Sequence, residues 1–511
     1  MNLINGVYIK DYEWESFDFP LKLTSVTSEF GYYNFPTNSV ITIKRDELFN
    51  IKATIEFTSQ DKNACEYKET GNYVEEAGQF IEGENIIAYS STHKYILKDC
   101  TVAGYSIPSY DQISLSMYFV ADLLIYSITE INKNDDDDTV NSVVDWFLTS
   151  KSGIMYQRKT DRLSAGTILK VRKEIDEEDP TTDIRDFRGG SWDFFFVELD
   201  EFSFIVQETP KELLPEWAYG ICIEYRKSFK TIPSEETRRA ISEIISFSLG
   251  IELIKVGTSE FNSNKKAIRR YAHKLLGDNI IDRCQKGRLS PMHFKRIYAR
   301  DDIEDGLKDI IPTYLKLRNP LGLNTAIWKY WIGRNAMIGT NLPIMSSSIE
   351  GIAEKYLKYY NKLPSPCNED KRKYNNYLLA NKEFIEGFKE FGFTSSVINK
   401  INNPYNLSGG EKMKIFFESL GINFDKKSIE NQALMSRNSM AHSSTEKSID
   451  EIKETIRLTR AYETLFNRVM LKILNYKGKY IDHYTFGHPA LELSENIKVS
   501  DNVEAIITDN E

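Results

Sequence analysis

The apolar residues of this 511-residue chain change their spacing partway along it. Up to about residue 208 many of them alternate with polar ones, and from about 341 they recur every three or four positions. Alternation suits a strand with one buried face, and a three-four spacing suits a helix with one buried stripe. Two periods in two long stretches exclude a single repeated layer, and the length exceeds what one hydrophobic core usually serves. The expected fold class is therefore multidomain α+β. A strand-rich half at 1–208 is followed by a mixed middle region at 209–340. An antiparallel helical bundle at 341–480 and an acidic tail at 481–511 complete the chain.

The strand readings rest on β-branched and aromatic runs: Val40-Ile-Thr-Ile43, Ala53-Thr-Ile-Glu-Phe57, Tyr95-Ile-Leu97, Ile113 to Phe119 and Ala165 to Val171. Phe194 to Val197 and Phe202 to Val206 read as a hairpin broken at Asp200-Glu201. Arg188-Gly-Gly190 reads as a turn, and His273 as a solvent-facing residue of a basic helix with Arg269-Arg270. Ser234 is expected to cap a helix carrying Ile241, Ile244, Ile245 and Leu249, with Gly250 as its stop.

Beyond 341, Met345, Ile349, Ile352, Ala353, Tyr356 and Tyr360 mark a first helix. Tyr374, Leu378, Ile385 and Phe388 mark a second, and Met413, Phe416, Phe417 and Leu420 a third. A fourth is expected from about Lys427 to His442. Ser448-Ile-Asp-Glu451 is a capping box opening a long last helix, whose stripe is Ile449, Ile452, Ile456, Leu465, Val469 and Ile473. Leu407-Ser-Gly-Gly-Glu411 looks like an ATPase signature loop, but the chain has no GxxxxGK[ST] phosphate loop, so a Gly-rich link is expected there.

Several function classes drop out on composition. The five cysteines (Cys65, Cys100, Cys222, Cys284 and Cys367) show no CxxC pair, so neither a disulfide framework nor a zinc site is expected. Asp135 to Asp138 lack the spacing and glycine of a calcium loop and read as a solvated tip. No metal and no cofactor is expected. The first residues have neither the basic start nor the apolar stretch of a signal peptide. The best membrane candidate, Met117 to Ile128, is too short for a span and holds Asp122, so a cytoplasmic protein without membrane contact is expected.

The net charge of −10 speaks against general nucleic-acid binding, yet it is unevenly spread. Residues 341–480 hold 22 Lys and Arg against 16 Asp and Glu, and the tail 481–511 holds one Lys against seven acids. A basic segment between acidic ones suits a polyanion site with a flank able to mask it.

That basic segment contains Ser436-Arg-Asn-Ser-Met-Ala-His-Ser443. On a helix, Asn438 and His442 lie one turn apart, and Arg437 is about 100° round from Asn438. One short segment then offers a permanent cation, an amide and a titratable imidazole. RNA can be cut without metal when its 2′-hydroxyl attacks the adjacent phosphate. Such a cut needs a proton carrier titrating near neutrality and a fixed positive charge on the phosphorane oxygens. His442 suits the first role and Arg437 the second, with Asn438 orienting either. One imidazole does not readily serve as base and acid together, whereas two copies of the motif would. The chain has two other Arg-Asn pairs, Arg318-Asn319 and Arg334-Asn335, and neither has a histidine four residues after the asparagine. The competing structural account has Arg437 and His442 offsetting the dipole at a helix C-terminus, or a partly buried Arg437 paired with an acid.

The segment resembles the R-N-x-x-x-H motif of HEPN ribonucleases, and 341–480 is similar to their helical bundle. The layout as a whole resembles Apea-like HEPN proteins of bacterial anti-phage defence. The resemblance implies a metal-independent endoribonuclease, active as a homodimer or higher even oligomer, with RNA as substrate and a phage-derived trigger sensed by 1–208. It implies Arg437 and His442 as catalytic residues, Asn438 in support, and Glu350 as a candidate further residue on an earlier helix. The alternative is a non-catalytic RNA-binding or dimerisation module on the same bundle.

Overall fold

The computed structural model describes residues 2–4, 7–9, 21–29, 35, 39–59, 84–106, 113–127, 139–164, 168–172, 187–363, 368–402, 407–422, 428–442 and 448–497, apart from breaks of at most four residues inside these ranges. The calls at Asp135 to Asp138 and at Ala165 to Thr167 fall outside them. Among the described residues the chain is mixed α and β, with a large antiparallel sheet and a set of helices. It divides into two compact units. One is Met1–Ser290 with Phe294–Lys308, and the other is Pro291–His293 with Asp309–Glu511. The division near Lys308 differs from the sequence boundaries at 208 and 340, because strands from 219 to 272 pair into the same sheet as the earlier ones.

Among the described residues that sheet has fifteen strands. From one edge they run Ile168–Arg172, Arg158–Ser164, Phe187–Glu198, Ser203–Glu208, Tyr219–Arg226, Ser142–Thr149, Ile254–Phe261, Ala267–Ala272, Ile113–Ser127, Ile51–Ser59, Val40–Arg45 and Leu21–Leu23. Ser25–Ser28, Glu84–Tyr89 and His93–Ser106 branch from Ile113–Ser127. The expected hairpin is present, with Glu198 opposite Ser203 and Leu199 N–H donating to the Phe202 carbonyl at 3.1 Å. Arg188-Gly-Gly190 is extended strand, not a turn. It faces Arg158–Ser164, where the register shifts between Asp161 and Leu163, as at a bulge. Arg269 and Arg270 likewise lie on a strand, not a helix.

The strand Ser142–Thr149 sits in mid-sheet with both faces covered, which its unbroken Val-Val-Asp-Trp-Phe-Leu run permits. Trp146 lies opposite Cys222 on one side and Gly257 on the other, and its indole N–H donates to Ser259 Oγ at 3.0 Å. The polar exception is Asp145. It meets Lys255 at 2.9 Å and Arg238 at 3.0 Å, and accepts from Thr258 Oγ1 at 2.7 Å. Arg238 belongs to the helix Glu235–Leu249, so this cluster ties helix to sheet. That helix begins and ends as expected: Ser234 Oγ accepts from Thr237 N–H, and Gly250 closes it at φ +66°. His273 is partly buried. Burial pulls its pKa down to about 4, with Lys255 adding to the effect, and its ring lies 4.5 Å from that of Tyr271.

The second unit is helical, with a small hairpin of Tyr480–Ile481 and Ala490–Leu491. Its central element is Asn341–Tyr359, which packs against Leu323–Asn335, Gly409–Ser419, Ile429–His442 and Ile449–Ile473. Met345, Ile349, Ile352 and Ala353 of its expected stripe are buried. Tyr462 O–H donates to the Met345 carbonyl at 2.7 Å, and Tyr330 stacks on Phe466 at 4.6 Å. The second expected helix is two, Asn368–Ala380 and Lys382–Glu390, with Ser395–Asn402 following. The Gly-rich segment after Leu407 is not a link but a helix start. Ser408 and Glu411 form a reciprocal capping box that opens Gly409–Ser419.

Candidate functional site

The motif residues lie on one helix, Ile429–His442, which ends at the histidine. Ser428 starts it: its Oγ accepts from Asn431 N–H at 3.2 Å, and its carbonyl accepts from Gln432 N–H at 3.1 Å. The side chains of residues 436–442 lie outside the described set, so the motif is placed by helical register alone. Ile429, Glu430, Ala433 and Leu434 are buried, whereas Gln432 and Met435 are exposed. Arg437 follows Glu430 by seven residues and Ala433 by four, so it continues the inner row. By register Asn438 follows buried Asn431 by seven and buried Leu434 by four, and His442 lies at the edge between the directions of buried Asn431 and exposed Met435.

The long helix Ile449–Ile473 runs back along the motif helix, since Glu430 at the start of one meets Arg468 near the end of the other. Its capping box is formed in both directions between Ser448 and Glu451. Half of its expected apolar stripe is buried: Leu465, Val469 and Ile473 are in the core. The other half is not. Ile449 is 73% exposed, and Ile452 and Ile456 are also open to solvent, as is Met435 at 58%. Ile449, Ile452 and Ile456 share one face of the last helix, so an exposed apolar strip runs along its first two turns.

Glu350, the candidate further residue, sits partly buried on Asn341–Tyr359, a helix packed against the motif helix. The other two Arg-Asn pairs have structural surroundings. Arg318 donates to Asn319 Oδ1 at 3.2 Å. Arg334 is buried 3.5 Å from Glu463, with its guanidinium 5.2 Å from the Trp331 ring centroid, and Glu463 also binds Arg460 at 2.8 Å.

Sequence reasoning missed the buried charges nearest the motif. Glu430 and Arg468 form an ion pair at 3.5 Å, and Arg468 Nε donates to the Leu493 carbonyl at 3.0 Å. Burial pushes the Glu430 carboxyl up and the Arg468 guanidinium down. A first-turn carboxylate and an arginine beside Leu465 and Val469 were the available signals, and both are ordinary in solvated helices. The segment after Tyr480, read as part of an acidic tail, packs along the last helix. His483 N–H donates to Thr464 Oγ1 at 3.1 Å, and Arg457 donates to the Tyr484 hydroxyl.

Among the described residues there is no cluster of three or more His, Cys, Asp or Glu able to hold a metal. No helix among them is long and apolar enough to cross a membrane. Cys100, Cys222 and Cys284 are buried, and burial pushes the Cys284 thiol up to about 12. Comparison with family models, with curated proteins and with solved structures finds no match for this chain.

Proposed function

We propose that the helical unit is a metal-independent endoribonuclease of HEPN type, acting in anti-phage defence, with Arg437, Asn438 and His442 as its catalytic centre. The observation that carries this is the uninterrupted helix through the motif, ending at His442 and packed on Asn341–Tyr359 and Ile449–Ile473. His442 would exchange the proton of the 2′-hydroxyl or the leaving 5′-oxygen. Arg437 would neutralise the phosphorane oxygens through its planar fork. A second copy of the chain would supply the second imidazole. The exposed Ile449, Ile452 and Ile456 on one face of the last helix offer that copy an apolar surface to cover.

One observation favours a different reading. Arg437 continues the row of Glu430 and Ala433, which suits an arginine built into the core and a bundle that binds RNA or a second copy without cutting. The two readings part on His442. Purified wild type and His442→Ala are incubated with total cellular RNA in EDTA, and product ends are mapped. Cuts by wild type alone, leaving cyclic phosphates, support the nuclease. RNA binding unchanged in His442→Ala, without cuts by either protein even when the activating condition is supplied, supports the binding module.

A further inference from the structure

Beneath the motif helix lies an ion pair that the nuclease chemistry does not use. Glu430 and Arg468 are 1% and 0% exposed, with Arg468 Nη1 3.5 Å from Glu430 Oε1. Arg468 engages three partners at once. Besides Glu430 it donates from Nε to the Leu493 carbonyl at 3.0 Å, and its guanidinium lies 5.6 Å from the Tyr480 ring centroid. Glu430 Oε1 also accepts from Ile497 N–H at 3.2 Å, while the Tyr480 hydroxyl donates to the Glu495 carbonyl at 3.0 Å. Three segments converge on one buried pair: the motif helix, the last helix and 480–497.

Such a pair is a poor way to gain stability. Desolvating both charges costs about as much as their attraction returns, and apolar side chains of similar volume often hold a core as well or better. Among the described residues Arg468 Nη1 and Nη2 and Glu430 Oε2 have no hydrogen-bond partner, so the pair is an ion contact without a hydrogen bond, which deepens that cost. What a charged pair supplies and an apolar pair does not is direction. Leucine packed on methionine tolerates a helix that slides or rolls, whereas a buried charge drawn away from its counter-charge has no water to replace it. Glu430 is seven residues before Arg437, which is about 10 Å along the axis and about 20° round it. A roll permitted at Glu430 is therefore passed to the motif by the intervening two turns.

We propose that Glu430 and Arg468 are a positioning pair, which sets the rotation and axial register of the motif helix so that Arg437, Asn438 and His442 address one phosphate together. Neither residue touches substrate. The catalytic consequence rests on the nuclease reading above, while the effect on the helix does not.

The test compares wild type with the apolar double variant Glu430→Leu/Arg468→Met, because Arg468→Met alone strands a buried carboxylate and need not fold. The double variant is expected to keep the wild-type Tm or exceed it. Its kcat for RNA cleavage is expected to fall by about tenfold or more, with KM within about threefold. Amide exchange over 429–442 is expected to speed up by about tenfold, with 341–359 unchanged. Unaltered kcat and exchange in a folded double variant overturn the proposal. A collapsed Tm also overturns it, since the pair would then be an ordinary stabiliser. If wild type cuts no RNA under any condition, the nuclease reading fails and exchange alone decides: unchanged protection over 429–442 sinks the positioning role, and lost protection upholds it.

Discussion

Asp145 and Arg238 join at 3.0 Å between a mid-sheet strand and the helix that covers it, with Lys255 completing the contact from the neighbouring strand. Burial alone would raise the Asp145 carboxyl, but the two cations outweigh it and hold the pKa below the ordinary 3.8. A carboxyl titrating lower when folded contributes fully above its unfolded value and loses that contribution as pH falls through the folded one. Asp145→Asn strands two cations and is expected to cost about 3 kcal/mol in urea unfolding at pH 7. The deficit relative to wild type should shrink as pH falls below the ordinary 3.8 towards the lower folded value, where folded wild type loses the same charge.

His273 gives a dependence of the same sign at higher pH within the same unit. Its folded pKa of about 4 lies below the ordinary 6.5, so between those values the unfolded chain takes up a proton that the folded chain refuses. Stability should therefore fall on acidification from pH 6.5 to 4, by up to about 3 kcal/mol from this residue. His273→Gln should flatten that slope in parallel melts, and a ring titrating near 6.5 by NMR would refute the prediction.

Gly250 stands where φ is +66°, and a Cβ there would meet the Leu289 backbone carbon at 2.2 Å. Both the left-handed backbone and the close approach demand glycine. Gly250→Ala is expected to lower stability by about 2–4 kcal/mol, read from the urea midpoint at constant m.

Register predicts unequal effects inside the motif. By register Arg437 is in line with buried Glu430 and Ala433, and His442 lies at the edge between buried Asn431 and exposed Met435. Arg437→Ala should cost about 1–3 kcal/mol, and His442→Ala should stay within about 0.5 kcal/mol of wild type. Equal losses in thermal melts would contradict the register placement.

The apolar patch yields a prediction about assembly. Ile449→Asp together with Ile452→Asp adds charge to surface that is already exposed, so the folded chain should keep its Tm within about 1 °C. A second copy covering the patch would be expelled, and light scattering should show a shift to monomer. An unaltered mass would remove this patch from the interface.

Much was legible where the signal was local. Ser234 with Gly250, the Ser448–Glu451 box and the hairpin at Asp200-Glu201 depend on a few adjacent residues and their backbone hydrogen bonds. The stripe of Asn341–Tyr359 was legible because its period reports burial directly. The helix bearing Arg437, Asn438 and His442 was legible as a helix with its end, and so was the spacing of the three residues along it.

What only the tertiary structure decided is which of these local elements meet. Arg269, Arg270 and His273 look alike in a helix or a strand until pairing with Gly257 to Phe261 settles the matter. Ile449 and Leu465 were expected on one stripe, yet sixteen positions turn the helix by about 160°, so they lie on opposite faces, one exposed and the other buried in the core. Glu430 and Arg468 are 38 positions apart, and nothing in their neighbours marks either as buried. Spacing along a helix is set by the rise and twist of the backbone and can be read from sequence. The partner across a core is set by how whole elements pack, and that energy belongs to no short segment of the chain.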